Sequence, residues 1–431
     1  MLFLDINDDG FTEKFDAILL RGEENGREVE ETVRAIIADV RLRGDGAVLE
    51  LTSRFDRLEA ASVQELEVTA AEIAAAFATV APEDVAALKL AIERVTRFHE
   101  KQKQQTWIST EEPDVMLGQK VTPLSRVGIY VPGGKASYPS SVIMNAVPAR
   151  VAGVSEIIMV APSPGGEISP HVLVAASLSG VNRIFRIGGA QAVAALAYGT
   201  ATIPRVDKIT GPGNIYVATA KKLVFGQVGI DMIAGPSEIL IINDGSGDPA
   251  HIAADLLSQA EHDELASSIL ITTDRSFAEK AAVEVEQQLA RLSRETIARA
   301  SWEKYGAIIV ADTLDEVIAF SNRIAPEHLE LAVSDPFAVL PRITNAGAIF
   351  MGHWTPEAAG DYLAGPNHTL PTGGTARFFS PLSVDDFVKK TSIVYFSKSG
   401  LQRLGNDIVR IAGMEGLEAH ATSVSRRLNN I

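Results

Sequence analysis

The sequence predicts an α/β fold built from two similar three-layer α/β/α domains, with small helical extensions at the N- and C-terminus. After residue 125, short apolar runs that end in Gly or Pro alternate with helical stretches, as in parallel βαβ units. This alternation occurs in two series. The 431 residues suffice for two or three domains, each with a sizeable core. No clear repeat of individual residues accompanies the two series.

The first third of the chain is predicted to be helical. Apolar residues at positions 29, 33, 36, 37 and 40 follow helical spacing, and Gly44 ends that helix. Thr69 and Glu72 form the pattern of a capping box before an Ala-rich helix. Pro82 opens a further helix with one apolar side.

Seven apolar runs are the predicted strands of the two series. Those of the first series are residues 126–134, 156–162 and 183–189, accompanied by helices at 140–152 and 189–199. Those of the second series are residues 237–244, 267–274, 305–312 and 347–353. A separate small unit begins at Pro381, with one strand at 392–396 and C-terminal helices.

Composition excludes several classes of function. A net charge of −16 argues against nucleic acid or an anionic membrane as the main partner. The acidic N-terminus lacks the basic and apolar regions of a signal peptide, and no apolar stretch is long enough for a membrane span, which predicts a cytoplasmic protein. The absence of cysteine excludes disulfides, thiolate metal sites and a cysteine nucleophile.

Two pairs of polar residues are candidates for chemistry. Gln259 and His262 lie three residues apart, so a helix would place them on one face, either as solvated residues or as metal ligands. Glu327 and His328 follow Pro326, which predicts a helix N-terminus whose dipole would keep the imidazole neutral and therefore basic. A capped surface helix explains this second pair equally well.

Other candidates lie nearer the C-terminus. Asp361 and His368 fall in a Gly- and Pro-rich segment that is too irregular for a core. Glu415 and His420 fall in a segment that a solvated helix face also explains. Two nitrogen and two oxygen donors, a set that suits zinc, would come from Gln259, His262, Asp361 and His420. Spacing alone does not show that these four residues meet.

The remaining histidines give less information. His99 and His171 have no polar companions of this kind and are predicted to be surface residues. The others all lie in the second half of the chain, and several of them lie beside carboxylates.

Seven motifs follow one another along nearly the whole chain. They are YVPGG (130–134), KITGPGNIYVATAK (208–221), IDMIAGPSEIL (230–240), DLLSQAEHD (255–263), APEHLEL (325–331), GDYLAGPNHTLPT (360–372) and EGLEAH (415–420). In these motifs and in their order the chain resembles the histidinol dehydrogenase family. Their combination is highly specific, whereas the glycine-rich TGPGN by itself is weak evidence.

The resemblance implies a role for each matching residue. The metal ligands would be Gln259, His262, Asp361 and His420, and the catalytic pair Glu327 and His328. The substrate contacts would be Ser237, Gln259, His262, His328, Asp361, Glu415 and His420. The NAD contacts would be Tyr130, Gln191 and Asn214. No standard dinucleotide fingerprint is present, so NAD use follows from the resemblance alone.

The resemblance also implies an activity. A zinc- and NAD-dependent enzyme would oxidise L-histidinol to L-histidine in two steps, the last of histidine biosynthesis. One Zn²⁺ per subunit would orient the substrate, His328 would take the alcohol proton, and Glu327 would activate the water that hydrates the aldehyde. Two alternatives stay open: a zinc hydrolase, which the same donors fit, and a non-catalytic small-molecule binding protein.

The implied domains are incomplete Rossmann-like units. Residues 1–26 would form an N-terminal extension, and residues 126–237 the NAD-binding domain. Residues 27–125 and 238–380 would form a discontinuous domain that carries the metal and catalytic residues, and residues 381–431 a dimerisation unit. Members of the family are intertwined homodimers, so Glu415 and His420 would complete the site of the partner subunit.

Overall fold

Three sheets and the helices between them make up the computed structural model, which describes residues 1–20, 26–133 and 137–429. In chain order the described strands are β1 (Leu2–Asp5), β2 (Trp107–Ser109), β3 (Val115–Pro123), β4 (Arg126–Tyr130), β5 (Glu156–Val160), β6 (Arg183–Phe185), β7 (Lys208–Thr210), β8 (Gly229–Ile230), β9 (Glu238–Asn243), β10 (Ser267–Thr272), β11 (Ala307–Val310), β12 (His328–Ala332), β13 (Ala348–Met351) and β14 (Val388–Phe396).

The described helices are numbered in the same way. They are α1 (Phe11–Leu19), α2 (Gly26–Arg43), α3 (Asp45–Asp56), α4 (Ala70–Thr79), α5 (Pro82–Glu100), α6 (Pro139–Ala152), α7 (Pro170–Ser179), α8 (Gly189–Tyr198), α9 (Ile215–Val224), α10 (Pro249–Ala260), α11 (Arg275–Leu289), α12 (Glu295–Tyr305), α13 (Leu314–Ile324), α14 (Pro336–Val339), α15 (Glu357–Tyr362), α16 (Lys398–Met414) and α17 (Glu418–Asn429).

The larger sheet has six parallel strands in the order β1-β11-β10-β9-β12-β13. Successive side chains of β9 point to opposite faces. Leu240 and Ile242 join a hydrophobic cluster with Phe15 of α1, whereas Ile239 and Ile241 join a second cluster with residues of α10, α11 and α12. Helices therefore cover both faces, and the four strands predicted for the second series are confirmed as β9, β10, β11 and β13.

The smaller parallel sheet has the order β6-β5-β4-β7-β8 and contains the three strands predicted for the first series. The predicted strand at 126–134 includes Gly134, which lies outside the described residues. Helices α2, α3, α8 and α9 share one hydrophobic cluster with this sheet, so residues 33–66 pack on it. Both parallel sheets belong to one compact unit, residues 1–102 and 125–387, and the predicted domain boundaries stay a prediction.

The two parallel sheets share a strand order. In each, the first strand of the series (β9 or β4) is central, the second and third follow on one side, and the fourth and fifth on the other. The order reverses between β9 and β12 and between β4 and β7. In parallel α/β sheets such a reversal opens a crevice where ligands bind. The α/β fold class predicted from the sequence is confirmed.

A second compact unit comprises residues 103–124 and 388–431. Its antiparallel sheet has the order β14-β3-β2, and helices α16 and α17 pack on each other. The strand predicted at 392–396 extends over all of β14. Strands β2 and β3 fall in the region predicted to be helical. Strand β3 pairs with β2 and with β14, and β14 follows more than 260 residues later in the chain, so no local sequence pattern indicates that pairing.

Helix starts in the first third follow the predictions. Thr69 and Glu72 make both hydrogen bonds of a capping box, and Pro82 is the first residue of α5. The predicted N-terminal extension is only partly helical, because β1 forms the edge of the six-stranded sheet beside β11.

The surface position predicted for His99 is wrong. Its side chain is fully buried, and Nδ1 lies 2.8 Å from the main-chain oxygen of Val95 one turn earlier in α5. Burial lowers the pKa of His99 below its ordinary value. His171, by contrast, is about half exposed and pairs with Asp84.

Candidate active site

Glu327 and His328 lie at the start of strand β12, and the predicted helix N-terminus at this position is wrong. His328 pairs in register with Ile239 of β9 and Ala348 of β13, so it occupies an inner strand of the six-stranded sheet. Pro326 suits the start of either element, and the strand partners come from distant parts of the chain. The segment His328–Ala332 is buried throughout, as an inner strand of a parallel sheet requires.

The imidazole of His328 is held by one main-chain contact. Its Nδ1 lies 3.0 Å from the carbonyl oxygen of Glu238, which can only accept, so Nδ1 carries the proton. Nε2 then has a lone pair, is buried, and has no hydrogen-bond partner among the residues that the structure describes. Burial lowers the pKa of His328 to about 4, so the ring is neutral, the form that can accept a proton. Burial, not a helix dipole, gives this effect.

Glu327 is buried beside this histidine. Its Oε2 accepts a hydrogen bond of 2.8 Å from the main-chain nitrogen of Glu238 and lies 3.7 Å from Nδ1 of His328. The Ser237 side chain donates a further hydrogen bond to the same carboxyl. Burial raises the pKa of Glu327 well above its ordinary value, and nearby carboxylates raise it further. A carboxylate whose pKa is raised in this way is a stronger base than an exposed one.

Asp361 faces His328 from helix α15, within the segment predicted to be irregular. One of its carboxylate oxygens lies 3.9 Å from Nε2 of His328 and 3.6 Å from Nδ1 of His368. Burial acts to raise the pKa of Asp361, but His368, His328 and His262 outweigh it and hold that pKa below its ordinary value. Asp361 is therefore an anion within a group of imidazoles.

Gln259 and His262 lie where α10 ends. Gln259 is in the last turn, and His262 follows the helix, so the two do not share a regular helical face. Gln259 is fully buried, and neither atom of its amide has a hydrogen-bond partner within the described part of the chain. His262 lies close enough to Asp361 and His368 for their charges to affect its pKa, which burial lowers. Helix α10 also contacts α15.

Glu357 belongs to the same cluster and was not predicted. Ligand atoms of His328, Glu357 and Asp361 all lie within 4.8 Å of one another, an arrangement that could hold a metal ion. Glu357 Oε1 is 3.4 Å from Nδ1 of His328, and burial raises the pKa of Glu357 well above its ordinary value. Of the predicted ligands, this group contains only Asp361.

A second layer of acids lies behind the first. The Glu330 carboxyl accepts a 2.8 Å hydrogen bond from the main-chain nitrogen of Glu357 and pairs with the Asp255 carboxyl. Burial raises the pKa of both Glu330 and Asp255. Helix α10, strand β12 and helix α15 each supply one residue to each layer. The first layer contains Gln259, His328 and Asp361. The second contains Asp255, Glu330 and Glu357.

Sequence spacing contains a signal for this second layer. Asp255 precedes Gln259 by four residues, and Glu357 precedes Asp361 by four, the repeat of a helix face. Glu330 follows His328 by two, the repeat of a strand face.

The predicted NAD contacts lie at the carboxyl edge of the five-stranded sheet. Tyr130 ends β4, Asn214 caps α9 after β7, and Gln191 lies in the first turn of α8. Tyr130 and Asn214 thus flank the reversal of strand order between β4 and β7. Gln191 is buried, and both atoms of its amide lack hydrogen-bond partners in the described ranges. Gly134, the last residue of the YVPGG motif, lies outside the described residues.

Glu415 and His420 lie in the second compact unit. Glu415 follows the last residue of α16, and His420 is in the first turn of α17. Both side chains are exposed within that unit. Their predicted roles as substrate contacts, and that of His420 as a ligand, stay predictions.

No helix among the described residues is both long enough and apolar enough to span a membrane.

Comparison with known proteins gives one consistent result. The family described as histidinol dehydrogenase matches residues 19–428. The chain is 81% identical to a histidinol dehydrogenase of Geobacter sulfurreducens over 99% of its length and 100% of that protein. It is 80% identical to one of Geobacter metallireducens, over 99% of its length and 98% of that protein. A crystal structure of histidinol dehydrogenase from Elizabethkingia anophelis superposes with a TM-score of 0.94 at 38% identity, covering 100% of this chain and 98% of the other.

Proposed function

Since the chain belongs to the histidinol dehydrogenase family, a family of oxidoreductases, we propose that it oxidises L-histidinol to L-histidine through L-histidinaldehyde. The proposal includes two molecules of NAD for each turnover and one Zn²⁺ per subunit. It also includes the last steps of histidine biosynthesis as the pathway and the cytoplasm as the location.

The observation that carries the proposal is the buried, unpaired Nε2 of His328. Oxidation of an alcohol by hydride transfer requires a base for the hydroxyl proton. Nε2 is that base, because the Glu238 carbonyl holds the proton on Nδ1 and burial keeps the ring neutral. NAD, when bound, accepts the hydride in each oxidation. His328 serves both oxidations, because each releases a proton from an oxygen on the same carbon atom.

The donors near His328 fit a zinc ion. A fully buried amide without a partner in the described chain, as in Gln259, is costly unless a ligand satisfies it. Asp361 is an anion, and His262 is kept neutral by burial, as ligation requires. We propose Gln259, His262, Asp361 and His420 as the ligands. Zinc, when bound, orients the substrate by binding its nitrogen atoms.

Glu327 is proposed to supply the water for the second oxidation. The chain has no cysteine, so no thiohemiacetal can form and the aldehyde must be hydrated. The carboxyl of Glu327 is beside His328, and its raised pKa lets it take a proton from water and return it. Ser237 and the Glu238 main-chain nitrogen fix its position. Among the remaining substrate contacts we include Ser237 and Glu415.

The five-stranded sheet is the proposed site for NAD. Tyr130 and Asn214 flank the reversal of strand order, and the buried amide of Gln191 offers both a donor and an acceptor there. The domain boundaries follow from this proposal: residues 126–237 bind NAD, and residues 27–125 with 238–380 carry the catalytic residues. Residues 381–431 are proposed to form the dimer contact through which Glu415 and His420 reach the partner's site.

The test is a spectrophotometric assay of NADH formation from L-histidinol, with and without a chelator. The proposal requires two NADH for each L-histidine, activity lost on chelation, and activity restored by zinc. A zinc hydrolase would form no NADH. A binding protein would keep its ligand affinity when Glu327 and His328 are replaced.

A further inference from the structure

A buried ion pair holds the loop beside the proposed NAD site. Lys221 on α9 pairs with Asp231, which follows β8, and their side chains are 2% and 1% exposed. Both also contact Gly211, the first residue after β7. The Asp231 carboxylate accepts a 2.8 Å hydrogen bond from the nitrogen of Gly211, and the Lys221 ammonium donates a 2.9 Å hydrogen bond to its oxygen. One residue of the loop is thus held by both its main-chain groups.

The geometry at Gly211 explains why such holding is needed. Its φ is +108°, a conformation that side chains rarely adopt, and a Cβ there would overlap the main-chain oxygen of Tyr130. Gly211 therefore packs directly against the end of β4. It is also three residues before Asn214, the cap of α9. The position of Gly211 sets how the chain passes from β7 to the proposed NAD contacts.

Stability is a poor explanation for the pair. Desolvation of two buried charges costs about as much as their attraction returns, so a pair of apolar residues of similar volume is often equally stable. The hydrogen bonds to Gly211 are specific to a lysine and an aspartate at these two positions. The ion pair is therefore explained by where it places the loop.

We propose that Lys221 and Asp231 are positioning residues for NAD, which preform the 211–214 loop at the carboxyl edge of the five-stranded sheet. This rests on the proposed NAD site. Preforming the loop removes the cost of ordering it when the cofactor binds. The two residues do not contact the reacting atoms, so they affect the affinity for NAD and not the chemical step.

The test is a double variant, Lys221→Met with Asp231→Leu, which removes the pair without leaving a buried charge. We expect the KM for NAD to rise roughly tenfold. The value of kcat at saturating NAD and the KM for L-histidinol should stay close to those of the unchanged enzyme. Hydrogen exchange of the main-chain amide of Gly211 should become faster.

A matched control is an ion pair of β7, the strand that Gly211 follows. Lys208 at the start of β7 pairs with Asp386 over 2.8 Å, at the opposite edge of the sheet from Gly211. Lys208→Met with Asp386→Leu should alter stability but not the KM for NAD. The proposal is overturned if the KM for NAD rises equally in both double variants. It is also overturned if this KM does not rise in a folded Lys221→Met/Asp231→Leu enzyme.

Two further measurements separate this inference from the proposed site. Gln191→Leu should raise the KM for NAD if the cofactor binds at this edge, and no change overturns the site and the inference together. If the KM for NAD rises in Gln191→Leu but not in Lys221→Met/Asp231→Leu, only the inference is overturned. Should the double variant not fold, hydrogen exchange of the unchanged enzyme decides: a preformed loop protects the Gly211 amide without NAD, and free exchange there contradicts it.

Discussion

Nδ1 of His328 lies 3.0 Å from the main-chain oxygen of Glu238, and this contact determines which nitrogen of the ring is available. The two residues begin neighbouring strands, β12 and β9, so sheet pairing itself fixes the tautomer. The proposed base thus owes its orientation to the backbone and not to another side chain.

His328→Asn should lower kcat for both oxidations by about 10²–10⁴-fold, the usual contribution of a general base. The amide can still meet the Glu238 oxygen but cannot take a proton. Steady-state rates with L-histidinol and with L-histidinaldehyde check this. His353→Asn is the control, because His353 pairs with Ser246 over 3.1 Å near the carboxyl end of β9. Equal rates for the two variants would remove His328 from the mechanism.

Glu327→Gln should slow the second oxidation by roughly 10²–10⁴-fold and the first one less. The amide keeps an acceptor for the Glu238 main-chain nitrogen but cannot deprotonate water. The measurement is the rate of NADH formation from supplied L-histidinaldehyde, compared with single-turnover oxidation of L-histidinol. Aldehyde oxidation at the rate of the unchanged enzyme would assign water activation to another residue.

His262→Asn should lower zinc content and abolish turnover while the fold is kept, because His262 lies beyond the end of α10 and outside the sheet core. Atomic absorption on dialysed protein measures the metal, and circular dichroism measures the fold. His251→Asn, an exposed position at the start of the same helix, is the control and should keep its zinc. Full activity in metal-free protein would disprove a requirement for zinc.

Mixed dimers test the proposed role of His420. If His420 reaches the partner's site, His262→Asn and His420→Asn subunits refolded together should regain activity that neither variant has alone. In the mixed dimer one site carries both lesions and the other carries neither. No gain from dimers shown to be mixed would mean that each subunit completes its own site.

Because of His99, the free energy of unfolding should be smaller in mild acid than at neutral pH. Its pKa is lowered in the folded chain from an ordinary 6.5, because the ring is buried. As the pH falls below 6.5, the unfolded chain gains a proton that the folded chain does not, so the free energy of unfolding decreases. Urea unfolding between pH 5 and pH 8 measures the slope. His99→Leu should flatten it, and an unchanged slope would show that His99 does not contribute.

Strands that carry a local signal in the sequence were predicted, and strands that carry none were missed. Runs such as 237–244 and 267–274 have an apolar centre and end in polar turn residues, which suffices to place β9 and β10. His328–Ala332 begins after a proline and contains a glutamate, so a helix start fitted it as well. Only its pairing with β9 and β13 decides that it is a strand.

The candidate site was predicted in the same uneven way. Asp361 and His262 could be named from the family motifs, and the Asp361 carboxylate does lie close enough to His262 to affect its pKa. The second layer, which consists of Asp255, Glu330 and Glu357, was missed because its members are ordinary acids until the fold buries them together. Lys221 and Asp231 were missed for a related reason. They act on the main chain of Gly211, which no pattern of side chains reveals.

The place of His328 on an inner strand affects how the enzyme is inactivated by heat. Inner strands of a buried sheet open only when the whole domain unfolds, whereas loops open locally at a much smaller free-energy cost. With β9 on one side and β13 on the other, the imidazole cannot leave its position through a local fluctuation. We therefore expect the proposed base to lose its position on heating only when the whole domain unfolds.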